Sequence, residues 1–123
     1  MTILEQMGER ARAAARVLAC AGSRKKDEAL RQIARAFREE KAVILAANRE
    51  DIERAKADGM TPSLLDRLTL PPQRLEGMAA GAEEVAAQPD PVGRVLEGGK
   101  RPNGLLIEKI TVPLGVIGMI YES

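Results

Sequence analysis

Pro89-Asp90-Pro91 divides this chain into two stretches that cannot fold the same way. Upstream, apolar residues recur three and four apart, the spacing that puts them on one face of a helix. Downstream they alternate with polar residues or run together, as in half-buried and fully buried strands. Prolines this close end a helix, because each lacks a backbone N–H and restricts the residue before it. The expected class is α/β, with helices first and strands after.

The spacing predicts a first helix over residues 3 to 21, with Leu4, Met7, Ala11, Ala14, Leu18 and Ala21 on one side. Thr2 suits its N-cap, and Gly22 suits a left-handed stop. Ser23 offers a second cap, after which Leu30, Ile33, Ala34, Phe37, Lys41, Ile44 and Leu45 continue a stripe. Asn48, with Asp51 three residues on, reads as a third N-cap for a short helix from Arg49 to Ala57, ending at Gly59. Thr61-Pro62 starts a helix to about Leu68, with proline at its first position. Pro71-Pro72 opens the next, which runs to Ala87 with Leu75, Met78, Ala79, Ala82, Val85 and Ala86 on one side. Gly77 and Gly81 each cost about 1 kcal/mol there relative to alanine, so close packing against a neighbouring helix is expected to explain them.

Beyond Pro91, Gly93 to Lys100 and Leu105 to Val112 read as strands around Arg101-Pro102-Asn103-Gly104. Asn-Gly is a strong hairpin signal, since both residues tolerate the positive φ of a type I′ turn. Pro113-Leu114-Gly115 breaks the chain, and the apolar run from Val116 to Tyr121 reads as a buried strand. A buried strand needs neighbours on both edges, and a lone hairpin is not stable in water without something to pack on. Two readings stand side by side here. One is the start of a larger α/β sheet; the other is a small complete α+β domain with its last strand against the hairpin.

Composition narrows the chemistry. Aromatic residues are 2% of the 123, so single-stranded bases would find almost nothing to stack on. A net charge of +1 gives no broad field toward nucleic acid or anionic lipid. There is no histidine and a single cysteine, which argues against a zinc site, a Cys–His nucleophile pair or an internal disulfide. Glu5 and Glu9 interrupt the N-terminal apolar residues, unlike a signal peptide, and no apolar run would span a bilayer. These features lead us to expect a reducing, cytoplasmic setting.

Cys20 is the only thiol, but it falls near the C-terminal end of a helix, where the partial charge disfavours a thiolate. A structural role is expected for it. Gly115 and Gly118 read as strand-entry glycines, since no Gly-x-Gly-x-x-Gly fingerprint is present. Arg24-Lys25-Lys26, with Arg31 and Arg35, is interleaved with Asp27, Glu28, Glu39 and Glu40 and reads as a solvated face. Arg10, Arg12 and Arg16 read the same way.

The segment Val112-Pro113-Leu114-Gly115-Val116-Ile117-Gly118-Met119-Ile120-Tyr121-Glu122-Ser123 resembles the start of the nucleotide-binding sheet in the gamma-glutamyl phosphate reductase family, within the aldehyde dehydrogenase superfamily. Ala46-Ala47-Asn48-Arg49-Glu50-Asp51, Leu64-Leu65-Asp66-Arg67-Leu68 and Asp90-Pro91-Val92-Gly93 are similar to the same family in the same order. The resemblance implies the amino-terminal piece of a partial aldehyde-dehydrogenase-like fold. Residues 1–92 would be the helical part of a cofactor-binding domain, 93–112 a hairpin, and 113–123 the first strand of a Rossmann-like sheet.

It further implies reduction of L-glutamyl 5-phosphate to L-glutamate 5-semialdehyde with NADPH, in proline biosynthesis. A catalytic cysteine beyond Ser123 would attack the acyl phosphate, and the thioester would then accept hydride. By position, Ile120, Tyr121, Glu122 and Ser123 would line the cofactor cleft. Glu122 and Ser123 depart from the Pro-Trp pair common in the superfamily, though they fit the reductase branch. The hairpin would be an arm between subunits of a homo-oligomer, the alternative being a hairpin packed on its own domain. The rival to the enzyme reading is a small non-catalytic helical binding or assembly module.

Overall fold

The computed structural model describes residues 2–120. Its elements in order are α1 (Ile3–Ala19), α2 (Ser23–Glu39), α3 (Lys41–Ala57), α4 (Pro62–Leu68), α5 (Pro72–Ala86), β1 (Val95–Lys100) and β2 (Leu106–Ile110). The chain divides into two compact units, one of Met1–Ser23 with Pro89–Met119 and one built on Arg24–Gln88.

The Arg24–Gln88 unit holds the core. Ala34, Ala55, Leu75, Ala79 and Ala86 are buried, and Leu75 is the largest side chain to be fully so. Alanines at these points let helix backbones approach closely, while Phe37, Ile44, Leu45, Ile52, Leu65 and Leu68 half-bury their longer side chains around them. α3 packs against both α4 and α5. The prolines at the starts of α4 and α5 stand where the sequence places them, in the first turn, where a missing N–H costs nothing.

Three expectations are corrected in this unit. The stripe through Leu45 is interrupted at Glu40, which leaves helical geometry at ψ 12°. No glycine or proline signals this break, and hydrogen bonding runs through it from Glu40 N to Ala36 O and from Ile44 N to Glu40 O. Asn48 is not an N-cap: it lies inside α3, which already begins at Lys41. Gly77 and Gly81 are not sites of close packing, since a Cβ added to either would meet nothing within 4 Å. The buried residues Leu75, Ala79 and Ala86 define one side of α5, and at about 100° per residue both glycines fall on the other. The stop at Gly59 is as expected. Its φ is +78°, and Met60 N donates to Ala55 O while Gly59 N donates to Lys56 O, satisfying the last carbonyls of α3.

In the other unit, Thr2 caps α1 as expected, and Glu5 completes a capping box by accepting from Thr2 N at 2.6 Å. The helix ends earlier than its stripe suggested. Cys20 is its C-cap in right-handed geometry, and Gly22 does not adopt positive φ.

The hairpin pairs β1 antiparallel to β2 with Lys100 opposite Leu106, Gly99 opposite Ile107, Gly98 opposite Glu108 and Glu97 opposite Lys109. A bulge at Leu96 shifts the register before Val95 meets Ile110. The turn is not type I′. Only Gly104 takes positive φ, at +89°, and Asn103 does not. Gly104 N donates to Arg101 O and Arg101 N to Leu105 O, making Pro102-Asn103-Gly104 a three-residue loop. Pro102, locked at negative φ, suits the first central position of a type I turn, which a left-handed glycine then completes. Asn103 Oδ1 accepts from Leu105 N instead.

The strand expected at Val116–Tyr121 is absent over its described part: residues 113–120 join no ladder. A strand is a property of a pair, and the two-stranded sheet ends with β1 and β2. Tyr121 lies outside the described residues.

Candidate functional site

The largest convergence of side chains lies in the Arg24–Gln88 unit, where Arg38 joins two helices distant in sequence. Arg38, in the last turn of α2, reaches two carboxylates seven residues apart on α5. Its Nε and Nη2 donate to Glu76, the latter at 2.8 Å, and its Nη1 and Nη2 donate to Glu83 at 2.6 and 2.9 Å. A planar guanidinium with five fixed donors is the side chain able to fork to two carboxylates at once. Hydrogen bonds from Arg38 hold both Glu76 and Glu83 below the ordinary carboxylate range, and the two carboxylates, Glu83 first, raise Arg38. The guanidinium is thereby committed to two anions and has little to offer a phosphate. This is a fastening between helices.

Asn48 is a second fastening. Its Nδ2 donates to Leu68 O at 2.9 Å, and its Oδ1 accepts from Leu70 N at 2.8 Å. A side-chain amide, donor and acceptor together, can satisfy one carbonyl and one N–H where α4 gives way to α5. It borders a shallow groove shared with Leu45, Arg49, Ile52, Thr69, Leu70 and Pro72. Arg74 does similar work at the end of α4, donating to Asp66 O at 2.6 Å and Thr69 O at 2.9 Å.

In the other unit, Thr111 Oγ1 accepts from Arg94 N and donates to Pro91 O, while Asp90 accepts from Ser23 Oγ and Val92 N. These bonds set the base of the hairpin. Sequence reasoning missed these partners except as helix signals, because those of Arg38, Asn48, Thr111 and Ser23 join residues that only the fold brings together.

Of the residues expected at a cofactor cleft, Ile120 is fully exposed, and Tyr121, Glu122 and Ser123 lie outside the described residues. Val112, Leu114, Val116, Ile117 and Met119, which lead to Ile120, are also exposed. Gly115 takes φ +87°, a conformation glycine adopts without strain, whereas Gly118 does not. Cys20 is free and exposed at the end of α1. Arg24, Lys25, Arg31 and Arg35 are exposed on α2, as are Arg10, Arg12 and Arg16 on α1. Among the described residues, no three His, Cys, Asp or Glu side chains gather in a way that would hold a metal ion. No described helix is long and apolar enough to cross a membrane.

These elements define an α/β protein in which a helical unit precedes an antiparallel hairpin. Comparison with known proteins shows what the chain is similar to. No protein-family model matches the chain. It is 57% identical over 121 residues to gamma-glutamyl phosphate reductase of Rhizorhabdus wittichii, covering 98% of this chain and 28% of that relative. Against the Moorella thermoacetica enzyme of the same name it is 53% identical over 120 residues, covering 98% of this chain and 29% of the relative. The crystal structure of the Thermotoga maritima enzyme superimposes with a TM-score of 0.88 at 38% identity, covering 91% of this chain and 27% of that one. For the Saccharomyces cerevisiae enzyme the values are 0.84 and 32%, with 92% and 29% covered.

The chain is therefore similar, over nearly its whole length, to the amino-terminal part of gamma-glutamyl phosphate reductases. It spans just over a quarter of the length of the curated relatives it matches.

Proposed function

We propose that this chain is the amino-terminal framework of an enzyme that reduces L-glutamyl 5-phosphate to L-glutamate 5-semialdehyde in proline biosynthesis. The observation that carries the reading is the agreement in backbone and sequence with the Thermotoga maritima reductase, a TM-score of 0.88 at 38% identity over 91% of the chain.

The reaction exchanges an acyl-phosphate C–O bond for a C–H bond and releases inorganic phosphate. The superfamily reading assigns the nucleophile to a cysteine outside these 123 residues and leaves Cys20 uninvolved. NADPH, when bound, supplies the hydride. Of the cleft residues, Ile120 fits such a cofactor only as an apolar wall, having no donor for phosphate or ribose. The proposed framework works in the cytoplasm, and its hairpin pairs with another subunit of the same enzyme, which would cover the exposed Leu105, Leu106, Ile107 and Ile110.

The test is a chimera in which this chain replaces the matching 121 residues of the Rhizorhabdus wittichii enzyme. The expected result is phosphate-dependent reduction of NADP by glutamate semialdehyde and growth of a proline auxotroph. A folded chimera without activity would overturn the proposal. The 123-residue chain alone is expected to give no NADPH turnover.

A further inference from the structure

β1 is exposed along its whole length, and among the described residues only one of its edges is paired, by β2. Arg101 N donates to Leu105 O. Antiparallel pairs alternate between bonded and unbonded along a strand, so Gly99 turns its peptide groups toward β2, while Gly98 and Lys100 turn theirs to the open edge. An edge of unpaired N–H and C=O groups is a template for another strand. Glycine in a strand often marks a place where another backbone comes close, and a Cβ on Gly99 would meet nothing within 4 Å.

The charges at this edge select the strand that fits it. A copy of β1 related by a two-fold axis normal to the sheet runs antiparallel, and each residue then opposes one that points to the same face. With the axis at Gly99, Gly98 and Lys100 of each chain exchange backbone hydrogen bonds with Lys100 and Gly98 of the other, the groups that the open edge offers. Glu97 opposes Arg101 of the copy, twice by symmetry, in unbonded pairs whose Cα atoms stand about 4.5 Å apart, where opposite charges attract. On the other face, Lys100 of the copy arrives beside Gly98. Glu108 already lies across that glycine, its Cγ and Oε1 3.3 and 3.8 Å from where a Cβ would stand, so its carboxylate extends toward the incoming ammonium. An axis at Gly98 sets Leu96 against Lys100 instead, and an axis at Lys100 sets that lysine against its own copy. The outer edge of β2 offers no such match. Glu108 and Lys109 are adjacent and point to opposite faces, so no two-fold pairing of that edge sets one against the other.

We infer that the open edge of β1 pairs antiparallel with β1 of a second copy of this chain about a two-fold axis at Gly99, joining the two hairpins into one continuous sheet through Glu97–Arg101 and Glu108–Lys100 contacts between chains. The inference rests on the subunit pairing proposed above for the hairpin and gives that pairing an edge and a register. Leu96, in the bulge, opposes Pro102 of the copy, which has no N–H, so the ladder stops there at both ends.

Two measurements on the 123-residue chain test it. In sedimentation equilibrium the mass should rise with concentration from 13.3 kDa toward twice that value. Arg101→Glu and Glu97→Arg should each raise the dissociation constant by about tenfold, since each turns two exposed ion pairs into repulsive contacts. An equimolar mixture of the two should associate more tightly than either alone, because in the mixed pair the glutamates of one chain face the arginines of the other. For the register, Cys20→Ser removes the native thiol and Gly99→Cys sets a new one beside the axis. Mild oxidation should link this variant into a covalent dimer. Ile107→Cys in the same background, which the pairing holds about 14 Å from its copy, should stay unlinked. A monomer at all concentrations would overturn both the inference and the hairpin pairing on which it rests. Association that neither charge variant weakens, or in which Ile107→Cys links as readily as Gly99→Cys, would overturn the inference alone, because the subunits would then be joined by another part of the hairpin.

Discussion

Replacing Asn48 separates two roles that one residue type can play. In the structure its amide spans Leu68 O and Leu70 N, both part-buried, at 2.9 and 2.8 Å. Asn48→Ala removes both hydrogen bonds. Each contributes about 1 kcal/mol net, and a part-buried group left unpaired costs somewhat more, so the loss should be about 2–3 kcal/mol. Asn48→Asp keeps an acceptor for Leu70 N but turns a second oxygen toward the Leu68 carbonyl, so it should lose at least as much. Urea unfolding followed by circular dichroism at 222 nm reads this directly. With a slope of about 1–2 kcal/mol per molar, the midpoint should fall by about 1–3 M for either variant. The helix-cap role that the local sequence suggests makes the opposite forecast, because Asp and Ser serve as N-caps as well as Asn does. If Asn48→Asp and Asn48→Ser matched the parent in midpoint while Asn48→Ala did not, the bridging argument would be refuted.

Leu75→Ala should destabilise the Arg24–Gln88 unit by about 3 kcal/mol in the same assay, because Leu75 is its largest fully buried side chain. Gly77→Ala should stabilise α5 by about 0.5–1 kcal/mol, read as a higher midpoint, since the site is open and helical. The pH dependence follows from Glu76 and Glu83, which Arg38 holds below the ordinary carboxylate range. A depressed carboxylate stabilises the fold above its unfolded-state pKa and loses that contribution as pH falls through its folded-state value. Stability should therefore decline on acidification below about pH 4.5, the ordinary glutamate value, and Arg38→Met should flatten that decline, as thermal melts across pH 2 to 6 would record.

Local chemistry made some of this fold legible. Thr2, Gly59, Pro62 and Pro72 act within a few residues of themselves, and each starts or stops a helix where its chemistry says it should. What escaped were features whose cause lies elsewhere. The partners of Asn48 are twenty and twenty-two residues away, so its side chain looked like a cap. Glu40 breaks a helical stripe without any breaker residue. Asn103-Gly104 suggested one turn, while the proline before it selected another. The run after Gly115 has strand composition, yet composition supplies no partner to pair with. The family resemblance reached further because it draws on the whole order of segments, and relatives 57% and 53% identical bear out that reading. The same pattern holds for the candidate site. Residue types were readable, but the Arg38 fork across α5 depended on two helices meeting.

That fork also bears on the order in which the molecule can form during its synthesis. Arg38 and Glu83 are 45 residues apart, and the buried residues from Ala34 to Ala86 all lie upstream of the hairpin. A ribosome adding about 5–20 residues each second takes seconds to proceed from Glu83 through the end of the hairpin, whereas helices form in about a microsecond. The four helices can thus close on one another while the hairpin is still being made. Once latched by Arg38, they form a finished body of their own before the strands have left the ribosome.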